Sequence, residues 1–571
     1  MKVIPKYKLL LALPILIAIV FVIRFVHEPD LWWQLRTGEF ILTHGSVPDK
    51  DVFSFTYDGV SWLNVKWGFE VIQALVVSSF GPEALPLPQI IANILLLIFG
   101  WGIIKNIDRQ NTSTSAATTL ASLLFLVGMS YRMNGRPELV SYTFTACYLY
   151  IFTATNNGKT NWFYALIPAQ ILWANLHEAY GVGLIMIFIY LFSAWFGFYT
   201  AKVQKQDEKQ GLIKKTVLGI IAWLGVAVHP SGLHMLWHPY EIFTQLSSNQ
   251  FTQEIYSAAN GAYWHMPAYL SLGITIIAVL YLYRIGRSNN RFRIQTLIAQ
   301  VPLFYVLLFF AFFYLSLKSY RNLPFQFIIT MPILALWFAK SLQNITPKLQ
   351  VYGVALVASL LYLSIVSNWF YKMWLPQEQY GWGVSTAKNP VGAARFIEKH
   401  QLKGNAFTDY LSSSYFLWHL QPDFKTFVDL RDLDIFEAED IDIALTCCTN
   451  PTRRTATGAA IWDVVNQRYA FEYVALLNNP DFLPLHRYLI KNDQYKLVYA
   501  DALSSVFVRN SRKNKDLIGQ YKMVNFQPDA PMPSSVIPKM FNPFYHPPTQ
   551  TDAVFEKTRT AYLKALGLPL E

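Results

Sequence analysis

Residues 9–26 form an apolar run long enough to cross a bilayer, and the run ends directly in His27-Glu28-Pro29-Asp30-Leu31-Trp32-Trp33-Gln34-Leu35-Arg36-Thr37-Gly38. Two carboxylates and two tryptophans are therefore expected to emerge together at a membrane surface. Pro29 fixes the backbone between the acids, and a tryptophan pair suits an interface where one end of the ring is apolar and the other wet. Further apolar runs follow at about 85–104, 113–130, 138–156, 162–176, 180–199, 212–228, 267–283, 296–316, 322–340 and 349–370, roughly eleven with the first. In lipid, backbone groups must be satisfied within each span, so runs of this length predict a polytopic α-helical membrane protein.

Composition agrees: of 571 residues, 53% are hydrophobic, 16% aromatic and 15% charged, with a mean hydropathy of +0.26. The formal charge of +11 does not point to nucleic acid, because Lys and Arg cluster in short loops between apolar runs, the pattern that orients membrane helices. Cys147 and the adjacent Cys447-Cys448 give neither a disulfide framework nor a spaced set of zinc ligands.

Lys2, Lys6 and Lys8 precede the first run, and no small-x-small cleavage pattern follows it, so it is read as a retained helix with its N-terminus in the cytoplasm. Alternation then places Lys105/Arg109, Lys159, the stretch from Lys202 to Lys215, Arg284/Arg287/Arg291/Arg293 and Lys340/Lys348 on the cytoplasmic side. The same alternation sends Glu28/Asp30, Arg132-Met133-Asn134-Gly135-Arg136-Pro137-Glu138, His177-Glu178, the segment 229–265 and Lys318-Ser319-Tyr320-Arg321 to the outer face. Acids, guanidinium or ammonium groups and imidazoles gathered on one side suit a phosphate-bearing substrate whose lipid tail stays in the bilayer. Residues 71–80 are too short to span and fit an interfacial helix ended by Gly81-Pro82. In the segment 229–265, which also carries Glu241 and Glu254, four imidazoles invite a metal reading, but only His234 and His238 have i, i+4 spacing, and zinc is not the favoured reading.

Glu28-Pro29-Asp30-Leu31-Trp32-Trp33, with His44-Gly45-Ser46-Val47-Pro48, Asp51-Val52-Phe53-Ser54-Phe55-Thr56 and the stretch from Trp62 to Glu70, resembles the first outer loop of bacterial polytopic glycosyltransferases of the GT-C superfamily. These are distant relatives of the protein mannosyltransferases and lipid A aminoarabinose transferases. The resemblance implies an acid just after the first transmembrane helix at the active site, here the pattern Glu28-Pro29-Asp30. Arg136-Pro137-Glu138, Asn175-Leu176-His177, His229-Pro230-Ser231-Gly232 and Arg321-Asn322-Leu323-Pro324 also look like outer-edge positions of that family. Glu178-Ala179-Tyr180 departs from the glycine-rich turn expected after His177.

The expected organisation is a transmembrane domain over 1–370 with its outer loop at 27–84, a soluble extracytoplasmic α/β domain over 371–510, and an extended tail over 511–571 closed by a helix near 553–566. In the soluble part, helices are expected near 391–400 and 412–419, and strands near 405–408, 425–428, 472–477, 495–499 and 505–508. Phe427-Val428-Asp429-Leu430-Arg431 looks like an Asp-Gly-Arg signature of such relatives with Leu430 in place of Gly, and a structural ion pair is the favoured reading of Asp429 and Arg431.

The function expected is transfer of a sugar from a polyprenyl-phosphate carrier to an outer-face acceptor of the bacterial cytoplasmic (inner) membrane. Asp30 is expected as base, with Glu28 either holding a divalent cation or orienting the acceptor. Arg136 and Arg321 are the candidate phosphate clamps, and His177, Lys318, Trp32 and Trp33 the further substrate-binding candidates. Metal dependence stays open: Glu28 and Asp30 are the pair that would hold a cation such as Mg or Mn. The reading from another class is a non-catalytic scaffold subunit or a lipid-linked-glycan transporter, although neither internal repeats nor mid-span charges are evident.

Overall fold

The computed structural model describes residues 8–521 apart from 109–113, 202, 204, 249–255, 290 and 502. Lys2, Lys6, Arg109, Lys202, Glu254, the helix expected near 553–566 and all of the tail beyond residue 521 lie outside the described residues. By contacts the chain divides into two units.

The first unit comprises Met1–Ile23, Val65–Phe69 and Pro86–Leu375. The apolar runs of the sequence are helical over most of their length, including Ala12–Val22, Ser115–Met129, Glu138–Asn156, Leu166–Leu176 and Gln206–Gly225, while the end of the first run, past Val22, is extended. Among the described residues, five helical segments are long and apolar enough to cross a membrane: Pro82–Ile107, Glu178–Thr200, Met266–Ile285, Tyr320–Leu342 and Pro347–Val366. A sixth results if Ile294–Gln300 and Leu303–Lys318, which meet at 99°, form one bent span. Pro302 stands at that bend, where its missing N–H cannot continue the helical ladder. Within the Tyr320–Leu342 span 67% of the apolar window is buried, against 17% for Pro347–Val366, so the former is central and the latter peripheral. Helices approach closely where side chains are small: a Cβ on Gly128 would lie 2.4 Å from the Phe327 ring.

The second unit comprises Arg24–Asn64, Glu70–Leu85 and Pro376–Glu571. Its core is a four-stranded sheet in the order Ala406–Thr408, Tyr473–Leu477, Ser504–Arg509, Tyr495–Ala500, with the first pair parallel and the others antiparallel. Helices Val391–Lys399 and Ser413–His419 form as expected; Ala438–Thr449, Ile461–Tyr469 and Leu483–Lys491 were not foreseen. The strand expected near 425–428 is reduced to a single bridge: Phe55 N–H donates to Thr426 O (3.1 Å), and Thr426 N–H to Phe53 O (2.9 Å).

The segment after the first apolar run is not an open loop but a helix, Asp30–His44, closed by Gly45 at φ 71°. Leu31, Trp32, Leu35 and Ile41 recur at helical spacing and are buried. Trp32 and Trp33 are only 1% and 2% exposed, which corrects the expectation of surface tryptophans. Trp32 packs against Tyr415 and Trp418 at ring distances of 5.0 and 4.8 Å, and its Nε1–H donates to Asn389 Oδ1 at 2.9 Å.

Asp429 and Arg431 form the structural ion pair that the sequence favoured. The Arg431 guanidinium is fully buried; Nη2 donates to Asp429 Oδ2 at 2.7 Å and Nη1 to Asp51, among the rings of Phe53, Trp62 and Phe436. Burial alone would push Asp429 up, but Arg431 and its hydrogen bonds hold it below the usual carboxylate range. Removing the cation leaves two buried carboxylates facing each other. Arg431→Met is therefore expected to cost about 3–5 kcal/mol. Lys425→Ala, which breaks the exposed pair with Asp58 (3.0 Å), should cost less than about 1 kcal/mol. Denaturation midpoints of the purified protein in detergent compare the two.

Candidate functional site

Within the first unit, charged groups gather where several helices begin or end. Glu138 opens the Glu138–Asn156 helix behind Pro137, a position where the helix dipole favours an acid. Arg321 lies in the turn Tyr320–Asn322 that leads into Leu323–Leu342, and its Nη2 donates to Glu138 Oε1 at 2.8 Å. That turn is tied down by its backbone: Tyr131 OH donates to Tyr320 O (3.0 Å) and Tyr142 OH to Arg321 O (3.3 Å). Arg136, Arg132 and His177 also act electrostatically on Glu138. Gly135, at φ 54°, allows the tight turn that carries Arg132 and Arg136 round to the helix start.

His177 ends the Leu166–Leu176 helix and has its proton placed by a chain of hydrogen bonds. Trp173 Nε1–H donates to Ser141 Oγ (2.6 Å), Ser141 Oγ lies 2.7 Å from His177 Nδ1, and Ala179 N–H donates to the same nitrogen (3.3 Å). Nδ1 thus accepts, which leaves the proton on Nε2. Burial pushes the imidazole down to about 4, against the pull of Glu138 and Glu178, so it is neutral at pH 7. Beside it, Lys66 Nζ pairs with Glu178 Oε1 at 2.6 Å, and Trp67 Nε1–H donates to Asn175 Oδ1 at 2.9 Å.

The structure therefore brings together Arg132, Arg136, Glu138, His177, Glu178 and Arg321 from segments far apart in sequence. Lys318 instead lies over the Tyr314 ring of its own helix, at 5.4 Å. Lys66 and Ser141 carry no signal in the sequence: Lys66 is a lone cation in an aromatic stretch, and Ser141 is one of many hydroxyl residues on apolar helices.

Glu28 and Asp30 belong to the second unit. Glu28 is buried, and its backbone oxygen accepts from Leu31 N–H at 3.2 Å. Asp30 starts its helix, and Trp33 Nε1–H donates to its Oδ1 at 3.4 Å. Tyr410 stands among Asp432, Asp30 and Asp429; burial first and then these acids hold its hydroxyl protonated. Lys388 lies near both Glu378 and Glu28. Glu378 meets His27 at 3.2 Å and Arg24 at 3.5 Å, and against the upward push of burial these two neighbours hold it below the usual carboxylate range. Tyr410, Lys388 and Glu378 lie about 350 residues or more beyond the acidic motif, and no local pattern marks them.

No protein-family model matches the chain, and no curated protein does. Among solved structures, the Archaeoglobus fulgidus oligosaccharyltransferase in the apo form matches with a TM-score of 0.57 and 11% identity, over 87% of this chain and 74% of that one. The same enzyme tethered to an acceptor peptide containing the NVT sequon matches at 0.54 and 10% identity, over 89% and 74%. ArnT from Cupriavidus metallidurans bound to undecaprenyl phosphate covers 88% of this chain and 98% of its own at 12% identity, but at a TM-score of 0.48 it carries no argument. The likeness is one of fold: over most of its length the chain shares the fold of the Archaeoglobus fulgidus oligosaccharyltransferase.

A buried histidine held neutral gives stability a defined pH dependence. The folded pKa of His177, about 4, lies below the ordinary 6.5, so as pH falls the unfolded chain takes up the proton first. Its contribution is complete above pH 6.5 and is lost between 6.5 and about 4, on the order of 3 kcal/mol in all. Unfolding midpoints measured across this range should fall for the wild type, with a flatter profile for His177→Gln.

Proposed function

We propose that this chain is an integral-membrane glycosyltransferase that moves a sugar from a polyprenyl-phosphate carrier to an acceptor on the outer face of the bacterial cytoplasmic membrane. In this reading it crosses the membrane roughly eleven times, with its N-terminus in the cytoplasm and its C-terminal α/β part outside. The observation that carries the proposal is the gathering of Arg132, Arg136, Arg321 and Lys66 around Glu138, Glu178 and a neutral His177 at helix ends. Planar guanidinium groups held by carboxylates are suited to bidentate contact with phosphate oxygens. The fold likeness to an oligosaccharyltransferase supports the same reading.

A sugar–phosphate bond already contains its leaving group. The protein has to accept a proton from the acceptor hydroxyl and supply positive charge to the departing phosphate. Asp30 takes the first role and Arg136 and Arg321 the second, with Glu138 holding Arg321 in place. Trp32 and Trp33, being buried, act by fixing the helix that carries Asp30. Glu28 orients the acceptor or, with Asp30, holds a divalent cation such as Mg or Mn. One or two carboxylates fit such an ion, whose remaining positions are filled by water and phosphate oxygens.

Binding and transfer should be measured with a panel of polyprenyl-phosphate sugars and bare polyprenyl phosphate. Asp30→Asn is expected to keep binding and lose about 10²–10⁴-fold in transfer. Arg321→Lys keeps the charge beside Glu138 but loses the fork, and should weaken carrier binding by about tenfold. Full turnover in folded Asp30→Asn would remove Asp30 as the base. Absence of carrier binding by folded wild type would turn the reading toward a scaffold.

A further inference from the structure

His234, His238 and Glu241 lie four and three residues apart, a spacing that puts them on one face of a helical segment. The segment is the turn Gly232–Leu236 followed by the helix His238–Ser248. One ligand atom from each residue lies within 4.8 Å of the others, the one such group of three or more His, Cys, Asp or Glu side chains among the described residues. Glu241 Oε2 is 2.8 Å from His234 Nε2 and 3.3 Å from His238 Nδ1. Zinc–ligand bonds of about 2.0–2.1 Å in a tetrahedron imply ligand–ligand edges of about 3.3 Å. The two edges to Glu241 already stand near that spacing, and the edge between the imidazoles is no longer than 4.8 Å.

We propose that His234, His238 and Glu241 form a binding site for one divalent transition-metal ion of the zinc class. Two imidazole nitrogens and one carboxylate oxygen favour zinc, cobalt or nickel over magnesium or calcium, which take oxygen ligands. His238 anchors the site, its side chain only 9% exposed, while His234 and Glu241 are 49% and 45% exposed. Three protein ligands with two at the surface leave a further coordination position open to water or an anionic ligand. The segment is firmly placed: Tyr180 OH donates to Met235 O at 2.5 Å, and Pro239 packs on Gly181, where a Cβ would come within 2.9 Å. The site stands on this geometry and does not depend on the transferase reading.

The test uses the full chain, purified in detergent through a histidine-free affinity handle and stripped with a chelator. Zinc chloride is titrated calorimetrically, and cobalt chloride is followed by its visible absorption bands. One equivalent is expected to bind, and His234→Ala and Glu241→Gln should each weaken binding by more than about tenfold. His44→Ala, which removes an imidazole elsewhere, should leave it unchanged. Both ligand substitutions are at exposed side chains, and thermal unfolding without metal verifies that each variant folds. No stoichiometric binding by folded wild type, or undiminished binding in either ligand variant, overturns the proposal.

Discussion

A carboxylate buried at the first turn of an apolar helix needs a cation beside it, and in this chain Arg321 reaches Glu138. The pair joins two helices whose sequence positions are 183 residues apart. Around it, backbone contacts from Tyr131 and Tyr142 fix the Arg321 turn, and the Trp173–Ser141–His177 chain fixes an imidazole without adding charge. Loss of Arg321 would take the hydrogen-bonding cation from Glu138 and leave Arg136 and Arg132 to act on it, so the pair is one part of a larger charged cluster at this end of the helical unit.

The second unit solves the same problem with different parts. Arg431 is enclosed by Asp51, Asp429 and aromatic faces. Asp51 also accepts from Phe53 N–H at 2.9 Å and Ser54 N–H at 3.2 Å, so one ion-pair network shapes the turn around residue 51 and secures the segment around 429. The Asp30 helix is held by apolar packing instead, through Trp32 and its contact with Asn389. Asp30 thus projects from a rigid element, which suits a group assigned a chemical role.

Much of the fold was legible because lipid imposes a simple rule: an apolar run must satisfy its own backbone, and helix is the local solution. Each run located in the sequence is helical over most of its length. The strands near 405–408, 472–477, 495–499 and 505–508 were legible from their short apolar runs. The strand near 425–428 was not, because its pattern served a single bridge to residue 54. The Asp30–His44 helix was misread as loop because acids, tryptophans and a proline suggested an interface more strongly than the spacing of Leu31, Leu35 and Ile41 suggested a helix.

Of the candidate site, the types of residue and their sequence positions were visible, and their partners were not. Arg136, His177 and Arg321 stood out as polar groups at the ends of apolar runs; Lys66, Ser141 and Tyr410 carried no such mark. The sequence by itself determined where the helices of the long apolar runs form and which charges stand at their ends, since both follow from transfer out of water, a local property of each run. Tertiary structure alone decided that Arg321 meets Glu138, that Ser141 orients His177, and that Trp32 is core rather than surface. Such pairings span tens to hundreds of residues, and chain separation leaves no periodic trace by which to read them.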